Sequence, residues 1–283
     1  MKTSFIVVTD FYFSEVNGGA EANAEALIDR FVENNIDIKK MKSSEITIDF
    51  LKNNADKIFI FSNFIFLKEK CKKYAIENLK YFVYEQDHKY IKSRNPIKYV
   101  NFIAPKEERI NIDFYKGAIK VLFLTKLSMD VFQKNTDLNN LLNLQSSVWR
   151  KEELEFLKQI CNNDKINKIA IMNSDNPIKR RQDCIETCVK NGWDYDLVSD
   201  RNFKNFMRKL SKYEKLLFLT GHLETCARII VEAKMLNLKV ITNKKLIGAA
   251  SEDWYSLSGK QLIDEMEKIS SGMPNKILET IND

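Results

Sequence analysis

A series of short, solid apolar runs, each followed by room for one helix, limits the fold of this chain more than any other feature. The runs are Phe5-Ile6-Val7-Val8, Lys57–Phe61, Tyr81-Phe82-Val83-Tyr84, Ile119–Leu124, Lys168–Met172, Tyr195–Val198, Lys215–Leu219 and Leu238–Thr242, with a weaker one at Asp37–Met41. Apolar residues that run on without alternating suit strands covered on both faces, as in a parallel sheet. The stretches between them read as helices. Ala20, Ala24, Leu27, Ile28 and Phe31 share one face, and further helices are expected over 46–53, 67–79, 106–116, up to Phe132, over 151–161, after Pro177 and over 202–210. Strand and helix in alternation predict an α/β fold with parallel sheets, whose ligands bind beyond the carboxyl ends of the strands.

The series breaks once, at the polar, irregular stretch Asn135–Ser147, and then starts again. A chain of 283 residues has the length for two domains. The expected division is 1–147, 148–258 and a tail, 259–283, with two helical segments around Gly272 and Pro274.

Composition narrows the function classes. Charged residues at 30% and hydrophobic ones at 44% exclude a disordered chain. A net charge of +6 suits an anionic partner, whether nucleotide diphosphate, nucleic acid or acidic membrane, without choosing among them. The five cysteines form no CxxC pair and read as reduced, buried thiols of a cytoplasmic protein. Cys184 and Cys188 stand four apart without further ligands, so no metal is expected. The apolar core at the N-terminus is too short for a secretory signal. The longest uncharged run, Ile58–Leu67, falls short of the roughly 20 residues that span a bilayer. Its phenylalanines leave contact at the membrane periphery open.

Four places carry candidate chemistry. The first is Leu219–Lys234, read as the end of a strand, a loop and a helix, where Cys226, Ile229, Ile230, Ala233 and Leu236 form a buried stripe. Glu224 and Glu232 fall off that stripe, one at the expected helix start and one two turns on. Eight helical positions advance about 12 Å and turn roughly 80° past two full turns, so the two acids suit opposite ends of an elongated ligand. Ordinary placement, a first-turn acid and a solvated charge, is the alternative. His222 lies on the loop entering this helix, where it suits a ligand contact or a turn cap.

The second is Gly18-Gly19, where a helix starting on glycine lets a ligand approach its unpaired N–H groups; a tight strand-to-helix turn is the plainer reading. Third, His88 follows the strand Tyr81–Tyr84 beside Glu85 and Asp87, ahead of a loop in which Lys89, Lys92, Arg94 and Lys98 interleave with Tyr90 and Tyr99. That loop suits an acidic acceptor, phosphates or plain solvent. Fourth, Pro177 opens a helix with Lys179, Arg180 and Arg181 behind it. Cations at a helix N-terminus oppose its dipole, and an anion such as a diphosphate would relieve that conflict.

Glu224-x7-Glu232 followed by Ala233, in this strand, loop and helix setting, resembles the E-x7-E signature of retaining glycosyltransferases of the GT-B fold, especially the family 4 type. Gly18-Gly19-Ala20-Glu21 is similar to the family's GGxE, and His88 and Lys179 fall in the family's order. The resemblance implies two Rossmann-like domains facing a cleft, with the acceptor on the 1–147 side, the nucleotide-sugar on the 148–258 side and the C-terminal helices crossing back. It implies that Glu232 takes the ribose hydroxyls, Lys179 with Arg180 or Arg181 the diphosphate, and Glu224 and His88 the sugar as the catalytic pair, with Gly18, Gly19 and His222 lining the donor. It further implies a retaining, metal-independent transfer from a nucleotide-diphosphate sugar, without a cofactor; the acceptor stays open among a glycan, a lipid-linked glycan and a modified nucleic acid such as DNA. The chain departs from the family where an arginine commonly follows the strand, since Met172 and Asn173 stand there, and where Arg180 replaces a usual glycine. That departure keeps a non-catalytic GT-B-like module, or a nucleic-acid-binding one, as the rival.

Overall fold

The computed structural model describes residues 3–16 and 18–281. Asn17, which falls in the glycine loop singled out above, lies outside them. The chain divides into two compact units, one of Met1–Val148 with Ile269–Asp283 and one of Trp149–Lys268.

The first unit runs β1 (Ser4–Thr9), α1 (Gly19–Glu33), β2 (Asp37–Lys42), α2 (Ile48–Asn53), β3 (Ile58–Phe61), α3 (Glu69–Asn78), β4 (Lys80–Glu85), α4 (Ile112–Lys116), β5 (Val121–Phe123), α5 (Lys126–Thr136) and β6 (Leu141–Asn143). Its six strands are ordered β2-β1-β3-β4-β5-β6. Every pairing in it is parallel; Val7, for example, sits opposite Lys40 on one side and Ile60 on the other. The solid apolar runs of β1, β3, β4 and β5 are the inner strands, buried on both faces. Lysine-rich β2 lies at an edge and is half exposed, as an edge strand can be. Phe61 and Tyr81 pack on Phe114 at 5.1 and 5.0 Å between ring centres, and Phe132 lies 4.9 Å from Tyr90 and 5.0 Å from Tyr115. These rings are the centre of the unit's core.

The second unit runs α6 (Lys151–Ile160), β7 (Ile166–Met172), α7 (Arg181–Asn191), β8 (Tyr195–Val198), α8 (Phe203–Leu210), β9 (Tyr213–Leu217), α9 (Arg228–Met235) and β10 (Lys239–Ile241). Its sheet is β10-β9-β7-β8, again parallel throughout. Ile169, Ile171 and Leu217 meet Cys184 and Cys188 of α7 in the core beneath it, so these two cysteines pack as small apolar residues. All five cysteines are free and buried. The division between the units falls inside the last helix, α10 (Gly259–Glu279).

Several expectations are corrected. The helix expected over 106–116 is a short 3-10 turn and then only α4, because Arg109 pairs in extended conformation with Ile91 and Asn111 turns left-handed at φ 59°. The stretch 135–147, expected to be irregular, contributes the parallel edge strand β6. The tail is one helix with Pro274 inside it rather than two segments. The helix expected to begin at Glu224 begins at Arg228, which removes Glu224 and Cys226 from it.

Candidate functional site

In the second unit β7 and β9 are neighbours, so the loops leaving their carboxyl ends lie side by side. Gly221 N donates to Ile178 O at 2.8 Å, tying one loop to the other. A Cβ at Gly221 would lie 3.1 Å from Arg180 Nε and 3.7 Å from Ile178 O, so a side chain there would have to displace the Arg180 side chain slightly.

This contact brings together two residues that are 45 positions apart. Lys179 Nζ lies 2.9 Å from Glu224 Oε1 and 5.3 Å from the centre of the Phe218 ring, and the Thr220 hydroxyl donates to the same carboxylate oxygen at 3.2 Å. Both charged side chains are partly exposed, at 24% and 15%. Glu224 is held by its backbone, whose N–H donates to Leu246 O at 2.9 Å and whose carbonyl accepts from Gly248 N at 2.8 Å. His222 is half-buried beside it; its N–H donates to Thr220 Oγ1 at 3.1 Å, and its Nδ1 lies 3.0 Å from Leu223 O. Arg180 turns left-handed at φ 44° before α7 and pairs with Asp183. Arg181 reaches back instead, donating to Asn173 Oδ1 at 2.6 Å and to Asp175 at 2.9 Å.

Glu232 stands apart from Glu224. It lies inside α9, only 5% exposed, against the expectation that it falls off the buried face. Trp149 Nε1 and Arg228 Nε both donate to its Oε1, at 3.2 and 3.3 Å, and the Arg228 guanidinium lies 4.8 Å over the Trp149 ring and pairs with Glu153 at 3.2 Å. Burial pushes the Glu232 carboxyl up; the Glu153 charge adds to this and Arg228 opposes it. For Arg228, burial works against the charge, but Glu153 and Glu232 outweigh it and hold the guanidinium above its ordinary range. Arg228, Trp149 and Glu153 were missed in the sequence. The Arg228-to-Glu232 spacing of four on one helix was the available signal.

In the first unit the ends of β1, β3 and β4 carry a second polar cluster. Asp10, just past β1, accepts from Ser43 Oγ and from the backbone N–H groups of Ile65 and Phe66, the latter two at 3.0 and 3.2 Å. Gly18 precedes α1, and a Cβ there would run into the carboxylate of Glu21, so an acid already sits over the expected anion site; beside Gly19 the space is open. Burial raises the Glu21 carboxyl, with the Asp10 charge adding and its own backbone hydrogen bond opposing. His88, beyond β4, is 1% exposed and left-handed at φ 53°, with Nδ1 3.0 Å from the Tyr90 hydroxyl. Beneath it Glu85 accepts from the Tyr115 hydroxyl, from Lys89 Nζ at 3.4 Å and from Asp87 N at 2.7 Å. Asp87 pairs with Arg94.

Among the described residues no group of three or more His, Cys, Asp or Glu side chains is placed to hold a metal ion. No helix there is long and apolar enough to cross a membrane.

No protein-family model matches the sequence, and no curated protein matches it. Solved structures do resemble it in fold. The structure of Anabaena Alr3699/HepE in complex with UDP and glucose has a TM-score of 0.54 at 11% identity, over 99% of this chain and 92% of that one. Its complex with UDP-glucose gives 0.52 at 10%, over 98% and 95%. An alpha-glucosyltransferase in complex with UDP and a 13-mer DNA containing a central A:G mismatch gives 0.52 at 9%, over 99% and 90%. At such identities the likeness carries the α/β fold of two parallel sheets along nearly the whole chain, and that fold alone.

Proposed function

We propose that the chain is a glycosyltransferase that takes a sugar from a uridine-diphosphate donor, of the GT-B fold and the family 4 type, with its domains at 1–147 and 148–258 and a C-terminal segment at 259–283. The observation that carries this reading is the meeting of Lys179 and Glu224 on adjoining loops beyond β7 and β9, where an open parallel sheet receives its ligand. Support for the donor comes from the fold neighbours, whose structures contain UDP or UDP-glucose.

In this reading Lys179 leaves Glu224 for the diphosphate, and Glu224 turns to the sugar hydroxyls. Arg181 takes the part of the arginine that the strand end lacks, since its guanidinium already rests on Asn173. Arg180 and His222 stand at the rim of the same loops. Glu232 takes the ribose through its second oxygen, because both of its donors converge on Oε1. Gly18 and Gly19 keep the donor contacts, and His88 the sugar contact, that the resemblance gives them. The main catalytic contribution is stabilisation of charge on the departing diphosphate by cations and helix N-termini, which makes metal unnecessary. Retention of configuration, a cytoplasmic or membrane-peripheral location, and a glycan, lipid-linked or DNA acceptor belong to the same proposal.

The test is a thermal-shift panel of UDP-, GDP- and ADP-sugars followed by donor hydrolysis with wild type, Lys179→Ala and Glu232→Gln. Both variants should lose donor affinity. Wild-type affinity in both sinks the site assignment, and donor binding without turnover or hydrolysis in wild type selects the non-catalytic module.

A further inference from the structure

From Lys234 to Ser251 the chain carries four lysines, Lys234, Lys239, Lys244 and Lys245, and no aspartate or glutamate. They lie in the last turn of α9, on the edge strand β10 and on the turn after it, all within the second unit. Among the described residues none of the four stands in an ion pair. Two of them meet on one ring. Lys234 Nζ lies 4.7 Å and Lys244 Nζ 5.8 Å from the centre of Tyr255, in the 3-10 turn Asp253–Ser256. The face of the ring attracts a cation but offers no lone pair, so the N–H donors of both ammonium groups have no protein acceptor.

An ordinary surface lysine is solvated and needs no partner. Lys234 is placed differently: it is partly buried, and burial first and the Lys244 charge second push its pKa below the ordinary value. Burial pushes the Tyr255 phenol up, so it keeps its proton and adds no negative charge; its hydroxyl also makes no hydrogen bond among the described residues. The fold thus gathers two positive charges and supplies nothing to balance them.

We propose that Lys234 and Lys244, grouped on Tyr255, form an anion site of the second unit that takes a phosphate group, either the free ion or a phosphate monoester. A phosphate brings close to two negative charges and several acceptor oxygens, so a single group can accept from both ammonium ions. It returns to the half-buried Lys234 the compensation the fold withholds, while Lys244, exposed on its turn, closes on the same anion. None of the three residues belongs to the loops beyond β7 and β9 that join Lys179 to Glu224, and the site does not rest on the glycosyltransferase reading.

Calorimetric titration with inorganic phosphate at fixed ionic strength tests this in full-length Lys179→Ala, which removes the cation of those other loops. One saturable site is expected, and adding Lys234→Gln or Lys244→Gln should weaken it about tenfold or more, since each removes a charge-assisted contact. Lys190→Gln, which removes an exposed charge from α7, should leave it unchanged. The proposal is overturned by the absence of phosphate binding, by binding that survives Lys244→Gln, or by an equal loss in Lys190→Gln. Because Lys244 is exposed, its variant decides the matter even where Lys234→Gln fails to fold. Glycerol 3-phosphate in place of phosphate identifies the source: tighter binding marks a monoester as the ligand, and equal or weaker binding marks the free ion.

Discussion

At the residue scale, the acid that sequence reasoning placed off the buried stripe of its helix is one the fold buries. Glu232 and Glu153 share one guanidinium, so Arg228 neutralises charge that the interior would otherwise expel. Replacing Arg228 by Met should cost about 3–5 kcal/mol in chemical denaturation, since it strands buried carboxylates. The pH dependence has a definite sign. The folded Glu232 carboxyl lies above its ordinary value of 4.5 because of burial, so the native state binds this proton more tightly than the unfolded chain does. Its contribution is therefore present at and below that value and is lost as pH rises through the folded one. Glu232→Gln, compared with wild type across the pH range upward from the ordinary carboxylate value, should lack that decline. Parallel stability profiles of the two proteins would contradict it. By contrast, the Lys179–Glu224 pair is partly exposed, and its disruption by Lys179→Ala should change stability by about 1 kcal/mol or less while abolishing donor binding.

At the element scale, the loops rather than the helices and strands carry the departures from expectation. Glu224 was read as helical because apolar residues recur at the right spacing from Cys226 onward, but its backbone pairs with the segment around Ile247. A strand-like bridge to residues more than 20 positions away leaves no trace in local periodicity. Asp10 acts similarly in the first unit, where one carboxylate beyond β1 gathers the turn beyond β3. Asp10→Ala leaves the buried Ser43 hydroxyl without its acceptor, at about 1–3 kcal/mol, and releases the part-buried N–H groups of Ile65 and Phe66. It should speed hydrogen exchange at the amides of Ile65 and Phe66 well before it affects the strands, and unchanged exchange there would show that the turn is held by other contacts. The capped start of α5 offers a simpler check. Thr125 accepts from Ser128 N and is fully buried, so Thr125→Ala should lower stability by about 1 kcal/mol.

For the whole molecule, the test that matters is stabilisation by ligand. A UDP-sugar present at a hundred times its dissociation constant should raise unfolding stability by about 2.7 kcal/mol, a shift of several degrees that Lys179→Ala should erase. Much of the fold behind that prediction was legible in the sequence. The solid apolar runs became the inner strands of two parallel sheets, because burial on both faces requires them to be apolar throughout. The cationic start of α7 and the position of Lys179 beyond a strand were also set by local order along the chain. Which charges would meet was not. Lys179 reaches Glu224, Arg181 reaches Asn173, and Glu232 turns inward to Trp149 and Arg228. Tyr90 stands two residues from His88 in the sequence, yet only the left-handed turn at His88 and the aromatic packing around Tyr90 join hydroxyl to imidazole. Periodicity fixes which faces of helix and strand are apolar, since that follows from residue spacing alone. Partner choice among polar side chains depends on which strands lie side by side and how each loop turns, and only the tertiary structure decided that.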